Sequence, residues 1–296
     1  MTLHNSIGGI AYAVPAFLIW GLSPVYWKVL KTVPSSEILM HRIVWSFLFL
    51  IPLIIFQKQW GAFMTALKDW RILLILLATT LIIGCNWFLF IWAINHDHIL
   101  QTSLGYYINP LVNVFLGMIF LKERLRRFQL VALLLAATGV LCLTFRVGEF
   151  PWVSLFLAFS FGFYGLIRKV APVTPLVGLS VETMLLSLPA LVYLFCLNHM
   201  GTGALFCMNA QTDLFLMGSS LVTGLPLLLF TAGTKRLHFS TVGFLQYIAP
   251  SCTFLLAIFI YKETLAQAQL LAFALVWTAL LIYSADAISW YKTRTA

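Results

Sequence analysis

From Ile72 to Ile94 the chain carries no charged residue, and the stretch from Phe150 to Ile167 is equally free of charge. Runs of 18 or more uncharged apolar residues read as membrane-spanning helices, because about 20 residues rising 1.5 Å each cross roughly 30 Å of hydrocarbon. The apolar residues fill these runs on all sides, with no stripe facing a single core. Of 296 residues only 9% are charged and 61% are hydrophobic, whereas a soluble domain carries about 25% charged residues. A water-soluble fold is therefore excluded.

Ten such spans are expected, at about 8–27, 36–56, 71–94, 100–121, 127–145, 152–170, 175–197, 213–234, 239–261 and 267–286. Trp27, Trp60, Trp70, Trp152 and Trp290 lie near their ends, where indoles prefer the membrane interface. The longest polar connections, 57–70 and 198–212, are expected to hold only short loops. No basic segment precedes the first apolar run, so no cleaved signal peptide is expected. The net charge is +9, but the basic residues sit between apolar runs and form no polar domain, so nucleic acid is not expected as a partner. They instead set orientation. Of the 18 lysines and arginines, only Lys28, Lys31, Arg146 and Lys262 fall on one side, and Arg42 lies within a span. All the rest fall on the other side, with both termini. By the positive-inside rule that side is cytoplasmic. The cysteines Cys85, Cys142, Cys196, Cys207 and Cys252 form no CxxC pair and read as small packing residues.

The chain also repeats itself. At a shift of 140 positions Gly84 meets Gly224, His98 meets His238, Tyr107-Ile108 meets Tyr247-Ile248, Pro110 meets Pro250, and Lys122-Glu123 meets Lys262-Glu263. Each half, 8–145 and 152–286, holds five spans. Five is odd, so the second half starts on the opposite side from the first, and the halves are expected to be inverted. Inverted repeats are an architecture of secondary transporters, with the substrate site near the midplane.

The motifs Asn109-Pro110 to Lys122-Glu123-Arg124-Leu125 and Ala249-Pro250 to Lys262-Glu263-Thr264-Leu265 resemble the EamA family of the drug/metabolite transporter superfamily. More narrowly, FLIWGLSPVYWK at 17–28, EILMHRIVWSF at 37–47, SLGYYINPLVNVFLGMIFLKERLRRFQ at 103–129 and FGFYGLIRK at 161–169 are similar to its RarD-type branch. The resemblance covers almost the whole chain. It implies an all-α, ten-helix membrane fold, a bacterial inner-membrane location and export of small molecules. Members of the branch are often labelled as linked to chloramphenicol sensitivity, which does not fix a substrate.

Few ionisable residues lie inside spans. Glu37, His41 and Arg42 lie in the second and Glu182 in the seventh. A charge at the bilayer centre costs about 2.5–3.5 kcal/mol on insertion scales, so these are functional candidates by default. Arg42 and Glu182 map onto one another in the repeat. Arg42 is expected to hold an anionic group and Glu182 a proton or a cationic group; the structural alternative is an ion pair or snorkelling to the interface. Glu37, nearer the interface, ranks below them. Trp20, Asn86, Trp87, Tyr106, Tyr107, Asn109, Tyr164, Gln246 and Tyr247 are amphipathic side chains that either line an aromatic cavity or pack helices. Pro110 and Pro250 occupy matched positions and are expected to kink their helices. Glu123 and Glu263 are expected to cap or pair at span ends. His96-Asp97-His98 has no second ligand cluster nearby, so no metal is expected, and no cofactor motif appears.

These observations point to a secondary transporter for small solutes, embedded in lipid and coupled to a proton or counter-solute, as monomer or homodimer. No P-loop, HExxH or GxSxG motif is present, so an enzyme is not expected. A channel or membrane sensor is the alternative, and after these an integral-membrane enzyme.

Overall fold

The computed structural model describes residues 3–96, 98–147, 150–262 and 267–295. Its elements are helices α1 (Leu3–Val29), α2 (Ser35–Phe56), α3 (Trp60–Lys68), α4 (Trp70–Asn95), α5 (Ile99–Phe120), α6 (Arg127–Val147), α7 (Trp152–Val170), α8 (Pro175–His199), α9 (Ala210–Thr234), α10 (Phe239–Gln246), α11 (Ile248–Leu255), a π-helical turn (Leu256–Ile260) and α12 (Gln267–Thr295). Among the described residues ten helical stretches are long and apolar enough to cross a membrane, and they fall within a few residues of the expected spans. Phe88, Leu188, Phe195 and Leu281 are among their exposed apolar side chains. In water these would be a liability, but a lipid tail is as apolar as they are.

One connection differs from expectation. Segment 57–70 is not a plain loop but holds the nine-residue helix α3. Its Phe63 and Ala66, one turn apart, are buried, and the helix packs on α8. A short amphipathic face gained this partner only through the tertiary fold.

The chain forms two compact units that do not follow its two halves. One comprises residues 1–91 and 163–237, the other 92–162 and 238–296. In the first unit α1 packs on α9, α2 on α8 and α9, and α8 on α9. Small residues let α1 and α9 meet closely: a Cβ added to Gly233 would stand 3.1 Å from the Gly9 carbonyl oxygen and 3.0 Å from the Ala13 Cβ. Without a hydrophobic drive between helices in lipid, such close contact supplies much of the association. In the second unit α5 packs on α6 and α10, and α6 on α12, around Val114, Ala132, Ala136, Phe244, Tyr247 and Val276.

The matched prolines behave differently. Pro110 lies inside the continuous helix α5. Around Pro250 the ninth span is split into α10 and α11 at Tyr247. Proline cannot donate to the carbonyl four residues back, here Gln246. At the break the Tyr247 amide bonds the Phe244 carbonyl three residues back, at 3.2 Å.

Candidate functional site

In the first unit three side chains from two helices converge on Glu182 of α8. Its carboxylate accepts from the Thr79 hydroxyl of α4 at 2.5 Å and from the Tyr164 hydroxyl of α7 at 3.1 Å. Arg168, one helical turn beyond Tyr164, places its Nε 3.4 Å from Glu182 Oε1. Arg168 and Glu182 are 0% and 1% exposed. The guanidinium also donates through Nη2 to the Pro175 carbonyl at 3.0 Å, and it lies against Gly178, where an added Cβ would collide with it. Gly178 and Glu182 are one turn apart on α8 and so present one face. A buried carboxylate is tolerated only when paired and hydrogen-bonded, and here two hydroxyls and a guanidinium meet that need. The ion pair of Glu182 is thus with Arg168, a residue that the sequence marks only by its contribution to the sidedness of charge.

Arg42 on α2 lies over two indoles of the same unit. Its guanidinium carbon stands 5.6 Å from the Trp27 ring centroid and 4.9 Å from that of Trp87. Such a cation–π arrangement stabilises the charge by about 2 kcal/mol where water is excluded. Next to it, His41 Nε2 is 3.7 Å from Glu37 Oε1, and both side chains are buried. Glu37 also accepts from the Ala204 backbone amide at 2.6 Å, tying the connection between α8 and α9 to α2. Glu37 is therefore buried, despite its place near the end of its span. Trp20 packs on Phe17 and Phe230, and Asn86 is buried beside Trp87 in sequence.

The remaining candidates belong to the second unit. Asn109 donates to the Ala158 carbonyl at 2.9 Å. Asn113, one turn on, donates to Gln246 Oε1 at 2.6 Å and to Asn109 Oδ1 at 3.3 Å. The Tyr247 hydroxyl donates to the Tyr107 carbonyl at 3.3 Å, while the Tyr107 ring meets Phe273 edge-on. These contacts join α5 to α7 and α10, so they serve packing whatever else they do. Tyr106, by contrast, is exposed.

Glu123 caps α10. Its two oxygens accept from the Phe239 and Ser240 amides at 2.6 and 2.8 Å, and His238 Nδ1 lies 3.6 Å away. Burial acts to raise its pKa, but the nearby His238 and the hydrogen bonds from the Ser240 and Phe239 amides outweigh that and hold it at about 2. A carboxylate at a helix N-terminus satisfies orphan amides and the positive dipole end together. Glu263, its repeat partner, lies outside the described residues, as does Asp97. His96 and His98 both stack on Trp92. All five cysteines are free.

Sequence reading names Glu182, Tyr164, Arg42 and Trp87 separately and links Arg42 to Glu182. The structure instead brings Glu182 to Tyr164 and Arg42 to Trp87, and Arg168, Thr79, Trp27 and Asn113 are not among the sequence-derived site residues. Arg168 carried a usable signal, because Tyr164 and Arg168 share a helical face. Asn113 did too, one turn from Asn109 in an apolar run.

The EamA-like transporter family profile matches residues 7–145. Protein RarD of Salmonella typhi is 45% identical over 285 residues, covering 95% of each chain. The uncharacterized transporter YojE of Bacillus subtilis is 43% identical over 287 residues, covering 96% of each. A crystal structure of a protein 16% identical in sequence superposes with a TM-score of 0.73 over 94% of this chain and 97% of that one, a likeness of fold alone. The relatives make this a multi-pass bacterial membrane protein and a transporter of small molecules.

Proposed function

Because this chain belongs to the EamA-like transporter family, in its RarD-type branch, we propose that it is a secondary transporter exporting small metabolites or drug-like solutes by alternating access. It sits in the inner membrane with both termini cytoplasmic. Residues 8–145 and 152–286 are its two inverted five-helix repeats. The reading of the site rests on one observation above all: a buried carboxylate, Glu182, held by Thr79, Tyr164 and Arg168 inside apolar spans. Such a group is costly to keep and is retained where protons or solutes pass. Glu182 takes up the coupling proton, and Arg42 between its indoles holds an anionic group of the solute.

The test has two stages. A thermal-shift screen of the purified protein against amino acids, nucleobases, amphenicols and organic cations finds a ligand, since binding to the folded state raises stability. Flux of that solute into proteoliposomes is then measured under an imposed pH gradient. A carrier saturates and shows counterflow. Linear flux without counterflow means a channel and overturns the reading.

A further inference from the structure

At one end of the first unit the C-termini of α7 and α9 exchange lysines. Lys169, in the last turn of α7, donates to the Thr234 carbonyl at 2.7 Å and to the Leu237 carbonyl. Lys235, just past α9, donates to the Ala171 carbonyl at 2.6 Å. Each helix end leaves carbonyls unsatisfied and negative, and each is met by the other's ammonium. The arrangement is a reciprocal latch. It also crowds positive charge. Arg168 and Lys169 come from α7 and Lys235 from the end of α9. Arg236, beside them, lies over Tyr12 of α1 and donates to the Ala232 carbonyl. Glu182 of α8 sets a carboxylate against this group through Arg168.

We propose that Arg168 is a positioning residue that makes the hold between the ends of α7 and α9 depend on the charge of Glu182. The proposal rests on the reading of Glu182 as the coupling carboxylate. With Glu182 ionised, the Arg168 charge is balanced and the lysines close together are tolerated. Once Glu182 takes a proton, Arg168 stands uncompensated beside Lys169 and Lys235. The added repulsion favours separation of the two helix ends. Lys235 shows that the repulsion is already felt: burial first, then Arg168 and Lys169, bring its pKa from 10.5 down to about 8. A lysine freed from the latch regains its ordinary pKa. Its proton therefore favours the separated form, and raising pH through about 8 favours the latched one. Protonation of Glu182 and of Lys235 thus act in the same direction.

Hydrogen–deuterium exchange of the full chain in nanodiscs reads the latch through peptides spanning 167–175 and 231–239. At fixed pH, Glu182→Gln is expected to speed exchange there about fivefold, the low end of ordinary coupling between sites. Lys235→Gln, which removes a charge and keeps a donor, is expected to slow it, and the double variant to return near the parent rate. In the parent, exchange corrected for its chemical pH dependence slows between pH 7 and 9, and in Lys235→Gln it does not. Unchanged exchange in Glu182→Gln, or faster exchange in Lys235→Gln, overturns the proposal. Loss of pH-driven flux in Glu182→Gln with unchanged exchange defeats the latch and leaves the coupling role standing. Full flux with faster exchange defeats the coupling role and keeps the latch.

Discussion

Lys122 and Lys262, 140 positions apart in the chain, hold the same left-handed backbone, each with φ of 55°. A side chain in that region costs about 1 kcal/mol or more. Lys122→Gly is therefore expected to stabilise the protein by up to about 1 kcal/mol, and Lys122→Val to destabilise it. Melting in detergent checks both. If the chain is a duplication, Lys262→Gly behaves alike; opposite signs at the two positions would argue against it.

Glu123 makes stability depend on pH. Its folded pKa of about 2 lies below the ordinary 4.5, so its stabilising effect is fully present above pH 4.5 and is lost as pH falls toward 2. Glu123→Ala should cost about 1 kcal/mol at neutral pH, as lost caps do. The gap in melting temperature from the parent should narrow across that window. A gap that is constant from pH 6 to 3 would mean that the charged form is not what stabilises α10.

Glu182→Gln keeps the shape and most hydrogen bonds but removes the charge. Expected is loss or decoupling of pH-driven flux, with insertion and folding intact. Arg42→Lys should also impair flux, because an ammonium stacks less well between indoles and lacks the planar fork. Wild-type flux in a well-folded Glu182→Gln protein would sink the functional assignment.

Gly178 is where the Arg168 guanidinium rests. Gly178→Ala should therefore displace Arg168 and lower stability by about 1–3 kcal/mol, the usual cost of overpacking. The competing effect is better helix propensity, worth about 1 kcal/mol in favour of alanine. A net rise in melting temperature would show that Arg168 can move at little cost.

Asn113→Leu separates packing from transport in the second unit. It removes the bonds to Gln246 and Asn109 and should cost about 1–2 kcal/mol, leaving Gln246 Oε1 without that donor. If the polar set only joins helices, flux scales with the amount of folded protein. A fall in flux well beyond the loss of folded protein would assign these side chains to the solute pathway.

The ten spans were legible in the sequence to within a few residues, and the reason is solvent. Lipid demands that every backbone group be satisfied within its own segment, so length and apolarity alone determine a helix. Glu182 was legible for the same reason, since a carboxylate in an apolar run stands out. Its partner was not. Arg168 shares a helical face with Tyr164, but nothing in the chain ties that face to Glu182 until the fold brings the two side chains together, and Thr79 is an ordinary residue of an apolar run. Helix α3 and the choice of amides that Glu123 caps depend likewise on which helices pack together, whereas the break near Pro250 and a capping role for Glu123 were expected from the sequence. Local periodicity in lipid-facing helices carries little of that information, because no polar face marks the outside. The sequence by itself determined what crosses the membrane and which charges are costly there; only the tertiary structure decided which groups offset that cost, since pairing across helices depends on contacts between residues far apart in the chain.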